Sequence, residues 1–445
     1  MKLSEIAATL REIGVSPVKS LGQNFLHDQN LARWIVEQAD IGPEDFVVEI
    51  GPGLGALTGV ILAKGAPVLA IEKDKRLVEF LRSHFSDARL ELLHADALDL
   101  DVRTLFARPR AKLIGNLPYK IASQLLLKYL AHPTPFSLVI LTLQKEMAQR
   151  IGAEPASKNY GALSVQIQFH YRVKYLRTIS AGVFFPEPEV DSAVVVLLPR
   201  GDTELPACDS KLFGELVRRG FSQRRKQLGK LVHDYVEDWP KAAETLGLDR
   251  QVRAESLALE QWIALTNHLR PMGTPDLEKL AVERFPVVDE KDVVLRAAPR
   301  AEVHGNNLLH RAVHALIFNA AGEVYLQLRS RLKDRHPLRW DSSAAGHVNA
   351  DEDYDQTATR EVSEELGIEI PLKRVLKLPA SERTDYEFVW LYRGLYDGEL
   401  RPNPGEIEAI RSFPPRIVDR WIEARPRDFA PGFVECWKIW RKRNP

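Results

Sequence analysis

Between residues 46 and 200 the chain alternates short apolar runs with segments of helical spacing. The runs are "FVVEI" (46–50), "PVLAIE" (67–72), "LELLHAD" (90–96), "AKLIGN" (111–116) and "SLVILTL" (137–143). Short runs rich in Leu and β-branched residues read as strands buried on both faces. Their alternation with helices predicts a parallel sheet covered on both sides. Two later runs, "VKYLRTI" (173–179) and "SAVVVLLP" (192–199), predict a hairpin-like pair that closes the sheet. Residues 205–270 show helical spacing and few β-branched residues, which predicts a small helical domain. "RPMGTPD" (270–276) has the Pro and Gly of a linker. Beyond it, "RAVHALIF" (311–318), "VYLQLR" (324–329) and "YEFVWLYRGLY" (386–396) predict strands around one strongly helical, acidic box. The expected division is 1–204, 205–270, a linker at 271–282, and 283–445.

Composition narrows the class. At 445 residues the chain is too long for one ordinary core. Apolar residues make up 45% and charged residues 27%, as in soluble globular proteins. Basic and acidic residues balance at 61 each, so any nucleic-acid footprint must be local. The two cysteines, Cys208 and Cys436, form no motif, which points to a reducing, cytoplasmic compartment. The start has no signal-peptide pattern, and no run is long enough to span a membrane.

"VVEIGPGLGALT" (47–58) reads as a buried strand, a glycine-rich turn and a helix start. Such a turn brings backbone and helix N–H groups close to a ligand. Gly51, Gly53 and Ala56 fit a dinucleotide pattern, and Glu72 follows at a strand end. That acid could accept the ribose hydroxyls of NAD or of S-adenosylmethionine, and the turn alone does not choose. Two more segments do. "HADAL" (94–98) puts Asp96 after the third strand, where it could accept from an adenine amine. "IGNLPY" (114–119) puts Asn116, Leu117 and Tyr119 after the fourth, with Pro118 favouring an extended Leu117. A Leu117 main-chain carbonyl and the Asn116 side-chain oxygen converging on an exocyclic amine suit N-methylation. Two acceptors draw the delocalised lone pair back onto nitrogen for attack on a sulfonium methyl. Tyr119 could stack on the base.

These segments, with "SLGQNFLHD" (20–28), "FFPEPEVDSAV" (184–194), "FSQRRKQLGKL" (221–231) and "RAESLALEQW" (253–262), resemble in order the motifs of the KsgA-type adenine dimethyltransferases of small-subunit ribosomal RNA. The resemblance covers roughly residues 5–270. It implies a Rossmann-like α/β sheet with a helical domain. It also implies transfer of two methyls to N6 of each of two adjacent adenosines near the 3′ end of 16S rRNA in the 30S subunit. By position, Asn24, Leu26, Gly51, Glu72, Asp96 and Asn116 would contact S-adenosylmethionine. Asn116, Leu117 and Tyr119 would hold the target amine, and Phe184 would stack on the flipped base. The residue after Phe184 is Phe185, where the family often has Thr or Met, so either ring could be the one that stacks. A 23S rRNA adenine methyltransferase shares the first four motifs and is the alternative within the fold. "RAESLALEQW" favours the small-subunit family. Residues 211–230 carry seven basic residues against Glu215. Within a matching motif, Arg218, Arg219, Arg224, Arg225 and Lys226 read as phosphate contacts rather than a merely solvated helix face. The expected assembly state is a monomer.

"GHVNADEDYDQTATREVSEELGI" (346–368) is the acidic box. On a helix, Glu361, Glu364 and Glu365 share one face, and three like charges there repel unless a cation bridges them. All-oxygen ligands select Mg²⁺ or Mn²⁺. Gly346, Glu352, Arg360, Glu361, Glu364, Glu365 and Gly367 fill every fixed position of the Nudix box, so residues of roughly 283–430 resemble a Nudix hydrolase domain. That implies an α/β/α fold and metal-dependent hydrolysis of a nucleoside diphosphate linked to another moiety. Glu361, Glu364 and Glu365 would be ligands or base. The flanks "EVHGNNLLHRAVHALIFN" (302–319) and "WDSSAAGHV" (340–348) resemble the isopentenyl-diphosphate-isomerase-like branch. Ala345 stands where that isomerase has its catalytic Cys, which argues against isomerisation. His304, His310, His347 and Glu387 fall near that branch's second metal position; a structural role for them stays open. A non-catalytic binding module is the alternative for this half.

Overall fold

The computed structural model describes residues 3–16, 23–272 and 282–444. Ser20–Gly22 of the "SLGQNFLHD" motif and residues 273–281 of the expected linker lie outside these. The chain divides into two compact units, Met1–Pro206 with Phe213–Leu265, and Ala207–Leu212 with Thr266–Pro445.

In the first unit, β1 is Phe25–Leu26, β2 Phe46–Ile50, β3 Val68–Glu72, β4 Leu90–His94, β5 Ala111–Asn116, β6 Phe136–Gln144, β7 Tyr171–Ile179, β8 Phe184–Phe185 and β9 Ser192–Pro199. Seven of these form a sheet in the order β4-β3-β2-β5-β6-β9-β7. The first five are parallel, and β9 runs antiparallel to both β6 and β7. The two late runs therefore pair as expected, and it is the second of them that docks on the parallel sheet. β2 and β3 are buried at every position. β4, at the edge, is only partly covered, which explains its polar alternation.

Alternate residues of β2 feed two cores. Val48 and Ile50 pack with the helix Ala122–Tyr129 on one face. Val47 packs with the helices Gln29–Glu37 and Ala56–Ala63 on the other. Glu49 breaks the apolar run. It is 1% exposed, and its carboxylate accepts from the Thr58 hydroxyl at 2.7 Å. That bond ties the strand to the helix that follows the glycine-rich turn. The turn itself has Gly51, Gly53 and Gly55 at φ +69°, +57° and +82°. A Cβ at Gly55 would also lie 2.4 Å from the Phe85 ring, so this position is closed to larger residues.

The helical segment departs from expectation at its basic stretch. The helix Ser210–Gly220 ends where a Cβ on Gly220 would meet the Trp262 ring at 2.5 Å. Ser222 Oγ then takes the Arg219 carbonyl at 2.6 Å in place of a continuing helical N–H. Arg224, Arg225 and Lys226 consequently stand on a turn before the short helix Leu228–Leu231, not on a helix face.

In the second unit, β10 (Arg284–Val288) and β11 (Val294–Pro299) form a hairpin. A seven-stranded mixed sheet holds β12 (His310–Phe318), β13 (Val324–Arg329), β14 (Trp340–Asp341), β15 (Ala344–His347), β16 (Lys373–Leu378), β17 (Glu387–Leu395) and β18 (Ile407–Phe413). β12 and β17 are its parallel centre; the other pairs are antiparallel. On one face Val313, Ala315 and Ile317 pack against Tyr354, Ala358, Val362 and Leu366, a stripe at intervals of four along the helix Tyr354–Leu366. Asp353 and Gln356 close a capping box at its start, and Gly367 at φ +66° ends it. Gly346 and Glu352 of the acidic box precede the helix, Gly346 on β15. Strands β14 to β16 and β18 are short or carry several charges, and pattern alone did not mark them.

Burial pushes the Glu49 carboxyl up to about 7, against the Thr58 bond, which lowers it. A carboxyl raised on folding binds protons more tightly in the native state, so it makes stability fall as pH rises from 4.5 to about 7. Glu49→Gln keeps an acceptor for Thr58 and removes that titration. The variant should lose this share of the pH dependence, on the order of 3 kcal/mol across the window. Chemical denaturation from pH 4.5 to 8 measures it, and parallel curves for the two proteins would contradict the assignment.

Candidate active sites

The carboxyl ends of β2, β3 and β5 open on a cavity of about 280 Å³. Asn24, Gly51, Glu72, Asp96 and Asn116 all line it, together with Gly53, Lys73, Pro118 and Lys120. Five of the residues singled out in sequence thus meet across four strands and an N-terminal segment. Glu72 accepts backbone N–H groups from Gly53 at 3.2 Å and from Lys73 and Asp74 at 2.9 Å. Burial still raises its pKa, and the three N–H bonds only partly oppose that. Asp96 accepts from Lys73 Nζ at 2.6 Å and from the Leu98 N–H at 2.9 Å, and the Lys73 ammonium holds it below the usual carboxylate range.

Asn116 Nδ2 donates to the Asn24 carbonyl at 3.1 Å, which leaves Oδ1 as the acceptor of that amide. The Leu117 N–H donates to the Thr142 carbonyl at 3.1 Å, and its side chain is 2% exposed in the core. The backbone after Asn116 is thereby anchored. Tyr119 is half-buried, its hydroxyl 2.6 Å from Ser192 Oγ on β9. Leu26 does not line this cavity. It is buried on β1, which pairs with β8 in register Leu26↔Phe184 and Phe25↔Phe185. Phe184 is 3% exposed and packs in the core with Ile179 and Val194, whereas Phe185 is only partly buried.

Arg218, Arg219, Arg224, Arg225 and Lys226 are all exposed. Arg219 pairs with Asp234 at 2.9 Å and Arg224 with Glu255 at 2.8 Å. Arg218, Arg225 and Lys226 form no ion pair among the described residues.

In the second unit a cavity of about 340 Å³ gathers Glu361, Glu364 and Glu365. Glu365 is 2% exposed. Its carboxylate accepts from the Ala345 N–H on β15 and from Gln327 Nε2 on β13, each at 3.0 Å. Burial and the neighbouring Glu361 push its pKa well up. Glu361 is raised to about 7 by burial, against Arg360 and Lys333. Its carboxyl carbon lies 2.1 Å from where a Cβ on Gly346 would be, so only glycine there leaves room for it. Glu364 is the exposed member of the three. Arg360 binds Glu352 through two bonds, at 2.7 and 2.9 Å, and reaches Glu361 at 2.8 Å and Glu364 at 3.1 Å. The fixed positions of the box are therefore one charge network, and acids this unfavourably buried fit an oxygen-ligated cation.

His304, His310, His347 and Glu387 also come together. Candidate ligand atoms of the three histidines lie within 4.8 Å of one another. Glu387 Oε1 is 3.0 Å from His347 Nε2 and 3.6 Å from His310 Nε2. His304 Nδ1 faces Asp334 at 3.2 Å and His310 Nδ1 faces the Leu308 carbonyl at 2.8 Å, which turns both Nε2 atoms inward. His310 Nε2 is buried with no hydrogen-bond partner. Burial holds His304 and His347 below the usual histidine range, so their lone pairs are available.

Sequence reasoning missed Glu49, Lys73, Lys333 and Glu406. Lys333 Nζ pairs with Glu406 Oε2 at 2.5 Å, and both line the second cavity. Glu49 had a visible signal, a lone acid inside an apolar strand. Glu406 and Lys333 had none, because they reach the box from loops far off in sequence.

The fold and the Asn116 cavity define a Rossmann-like methyltransferase unit, and the acidic helix on a mixed sheet defines a Nudix domain. The model of the ribosomal RNA adenine dimethylase family matches residues 16–270, and that of the NUDIX domain matches residues 308–433. More than half of the chain lies under the first, so the chain belongs to the ribosomal RNA adenine dimethylase family, with a Nudix domain at its C-terminal end. The ribosomal RNA small subunit methyltransferase A of Chlorobium phaeobacteroides is 41% identical over 254 residues, 57% of this chain and 94% of that protein. The one from Bacillus cytotoxicus is 36% identical over 275 residues, 59% of this chain and 94% of that protein. Among solved structures, a dimethyladenosine transferase from Plasmodium falciparum is 24% identical with a TM-score of 0.46, over 54% of this chain and 95% of that one. S-adenosylmethionine is the methyl donor of this family. No helix among the described residues is long and apolar enough to cross a membrane.

Proposed function

We propose that the first unit dimethylates two adjacent adenosines near the 3′ end of 16S rRNA in the 30S subunit. The observation that carries this is the cavity lined by Asn24, Glu72, Asp96, Asn116 and Pro118, with the Asn116 amide pinned through Nδ2 so that Oδ1 remains its acceptor. The small-subunit relatives support the choice of subunit. When bound, S-adenosylmethionine supplies the methyl. Glu72 and Asp96 would accept from its ribose and adenine, once Lys73 gives up part of its hold on Asp96. The bond from Asn116 Nδ2 to Asn24 aims Oδ1 at the target amine. Stacking falls to Tyr119 and, opposite, to the Phe184–Phe185 pair. Phe185 is the more accessible ring, and Phe184 would have to leave its core packing to take part. We read the enzyme as cytoplasmic, where an rRNA substrate would be met, and as a monomer. Among the described residues Arg218, Arg225 and Lys226 form no ion pair, and the adjacent Arg225 and Lys226 are the pair we test as RNA contacts. Arg225→Glu with Lys226→Glu should weaken transfer of labelled methyl to unmethylated 30S particles by more than tenfold at low salt, a phosphate-contact effect that shrinks as salt rises. S-adenosylmethionine binding should be unchanged. Methylation of 50S particles or free 23S rRNA instead would favour the other subunit.

The second unit we read as a Mg²⁺- or Mn²⁺-dependent pyrophosphohydrolase acting on a nucleoside diphosphate derivative. The gathering of the Glu361, Glu364 and Glu365 carboxylates on one cavity, with Arg360 bridging Glu361 and Glu364, carries that reading. A bound cation would bind the diphosphate oxygens and promote attack by water. Glu361, Glu364 and Glu365 would hold it, Arg360 would keep their carboxylates apart and oriented, and Gln327 would fix the rotamer of Glu365. Glu365→Gln should lower hydrolysis of ADP-ribose to AMP and ribose 5-phosphate by 10² or more, in the range of lost metal-ligand effects. Equal hydrolysis by the two proteins would favour a binding module.

His304, His310, His347 and Glu387, three imidazoles and one carboxylate, fit a second cation of the Zn²⁺ or Mn²⁺ type. Elemental analysis of purified protein should find such a metal that His347→Ala lacks, and equal content in both would return the cluster to a structural role.

A further inference from the structure

β12 presents His310, Ala312 and His314 on one face. Their neighbours across the ladder on β15 are His347, opposite Ala312, and Ala345, opposite His314. Ala345 is the residue whose N–H holds Glu365. His314 therefore lies one strand away from the Nudix carboxylates, and about 13 Å along β12 from His310. It lines the same cavity, and two small residues, Ala345 opposite it on β15 and Gly432 beside its Nε2, bound the recess there.

His314 is 5% exposed and Asp341, beside it, 3%. Nδ1 of His314 is 2.7 Å from Ser342 Oγ and 3.5 Å from Asp341 Oδ1. Asp341 is itself held by Arg329 at 3.1 Å and by the Ser342 N–H at 2.7 Å. One edge of the imidazole is fully engaged. The other is not, since Nε2 has no partner among the described residues. Ser342 and Asp341 both face Nδ1, so Nε2 is left as an unpaired polar atom that a hydroxyl can meet in either tautomer.

Facing that edge is the start of the helix Pro431–Arg443. A Cβ on Gly432 would lie 3.5 Å from Nε2, so a larger side chain would cover it and glycine leaves it open. No side chain caps this helix start. Pro431 has no N–H and the Ala430 N–H is taken by the Trp340 carbonyl at 2.9 Å, so the Gly432 and Phe433 N–H groups are the donors this start offers. Burying such donors unpaired is unfavourable, and a ligand that pairs them is selected strongly over one that cannot.

We infer that this recess binds the moiety attached to the diphosphate, and that the moiety carries acceptor oxygens, as a sugar or nucleoside does, rather than hydrocarbon. The inference rests on the pyrophosphohydrolase reading of the same cleft. His314 acts here as a specificity residue, apart from the carboxylates that would hold the cation.

The test uses the full chain with Mg²⁺ and three diphosphates: ADP-ribose, UDP-glucose and geranyl diphosphate. The wild type should act on the sugar-linked compounds in preference to the hydrocarbon. His314→Leu should raise KM for the preferred sugar compound about tenfold, the worth of a buried hydrogen bond, with kcat nearly unchanged. Gly432→Leu, which leaves His314 in place and fills the recess, should do the same. Both variants should leave KM for geranyl diphosphate equal or lower. Preference of the wild type for geranyl diphosphate, or an unchanged sugar-compound KM in both folded variants, would overturn the inference while leaving hydrolysis intact. Absence of any diphosphate hydrolysis, with Glu365→Gln indistinguishable from wild type, would remove the underlying reading and this inference with it.

Discussion

Glu365 gives up its water to the interior of the second unit, and much of that unit is arranged around the loss. Its carboxylate is held by one main-chain N–H from β15 and one side-chain amide from β13, so it bridges two strands that are not paired with each other. Glu361 leans into the space that Gly346 leaves empty. Arg360 and Lys333 supply the nearest positive charge. Neither compensates fully, because both carboxyl groups remain raised. A site in that condition is poised for a cation, whose charge favours the ionised form of every acid around it.

The first unit meets the same constraint with different means. Glu49 is buried with a single hydroxyl for company, and Glu72 with three main-chain N–H groups. These acids sit at the carboxyl end of a parallel sheet, where the strands stop and the backbone of the next turn faces the ligand. Glycines at positive φ let that backbone come close. Asn116 shares this edge, and its bond to the Asn24 carbonyl joins the far N-terminal segment to the strand that carries it.

Neighbouring positions in one strand do unrelated work in both units. On β12 the residues facing the cleft are polar or small, while those facing the Nudix helix are aliphatic. On β2 the same alternation sends Val48 to one core and Glu49 to the other side. A period of two lets a single strand belong to a core and to a site at once.

Elements whose chemistry is local were legible in the sequence. The inner parallel strands announced themselves as apolar runs because burial on both faces leaves few polar positions. The Nudix box was legible for a similar reason: Arg360, Glu361, Glu364 and Glu365 lie within two turns of one helix, so their spacing encodes their geometry. The glycine turn and Asn116 could be read from their places beside strands. What the sequence could not state is which distant groups complete each site. Lys73 on Asp96, Asn24 on Asn116, Gln327 and Lys333 around Glu365, and the open edge of His314 beneath Gly432 are all set by how strands are ordered and loops returned. Spacing cannot carry that information, because these partners meet through tertiary contacts. The same is true of Phe184, whose burial follows from the pairing of β1 with β8, and of Arg224, which the folded chain commits to Glu255.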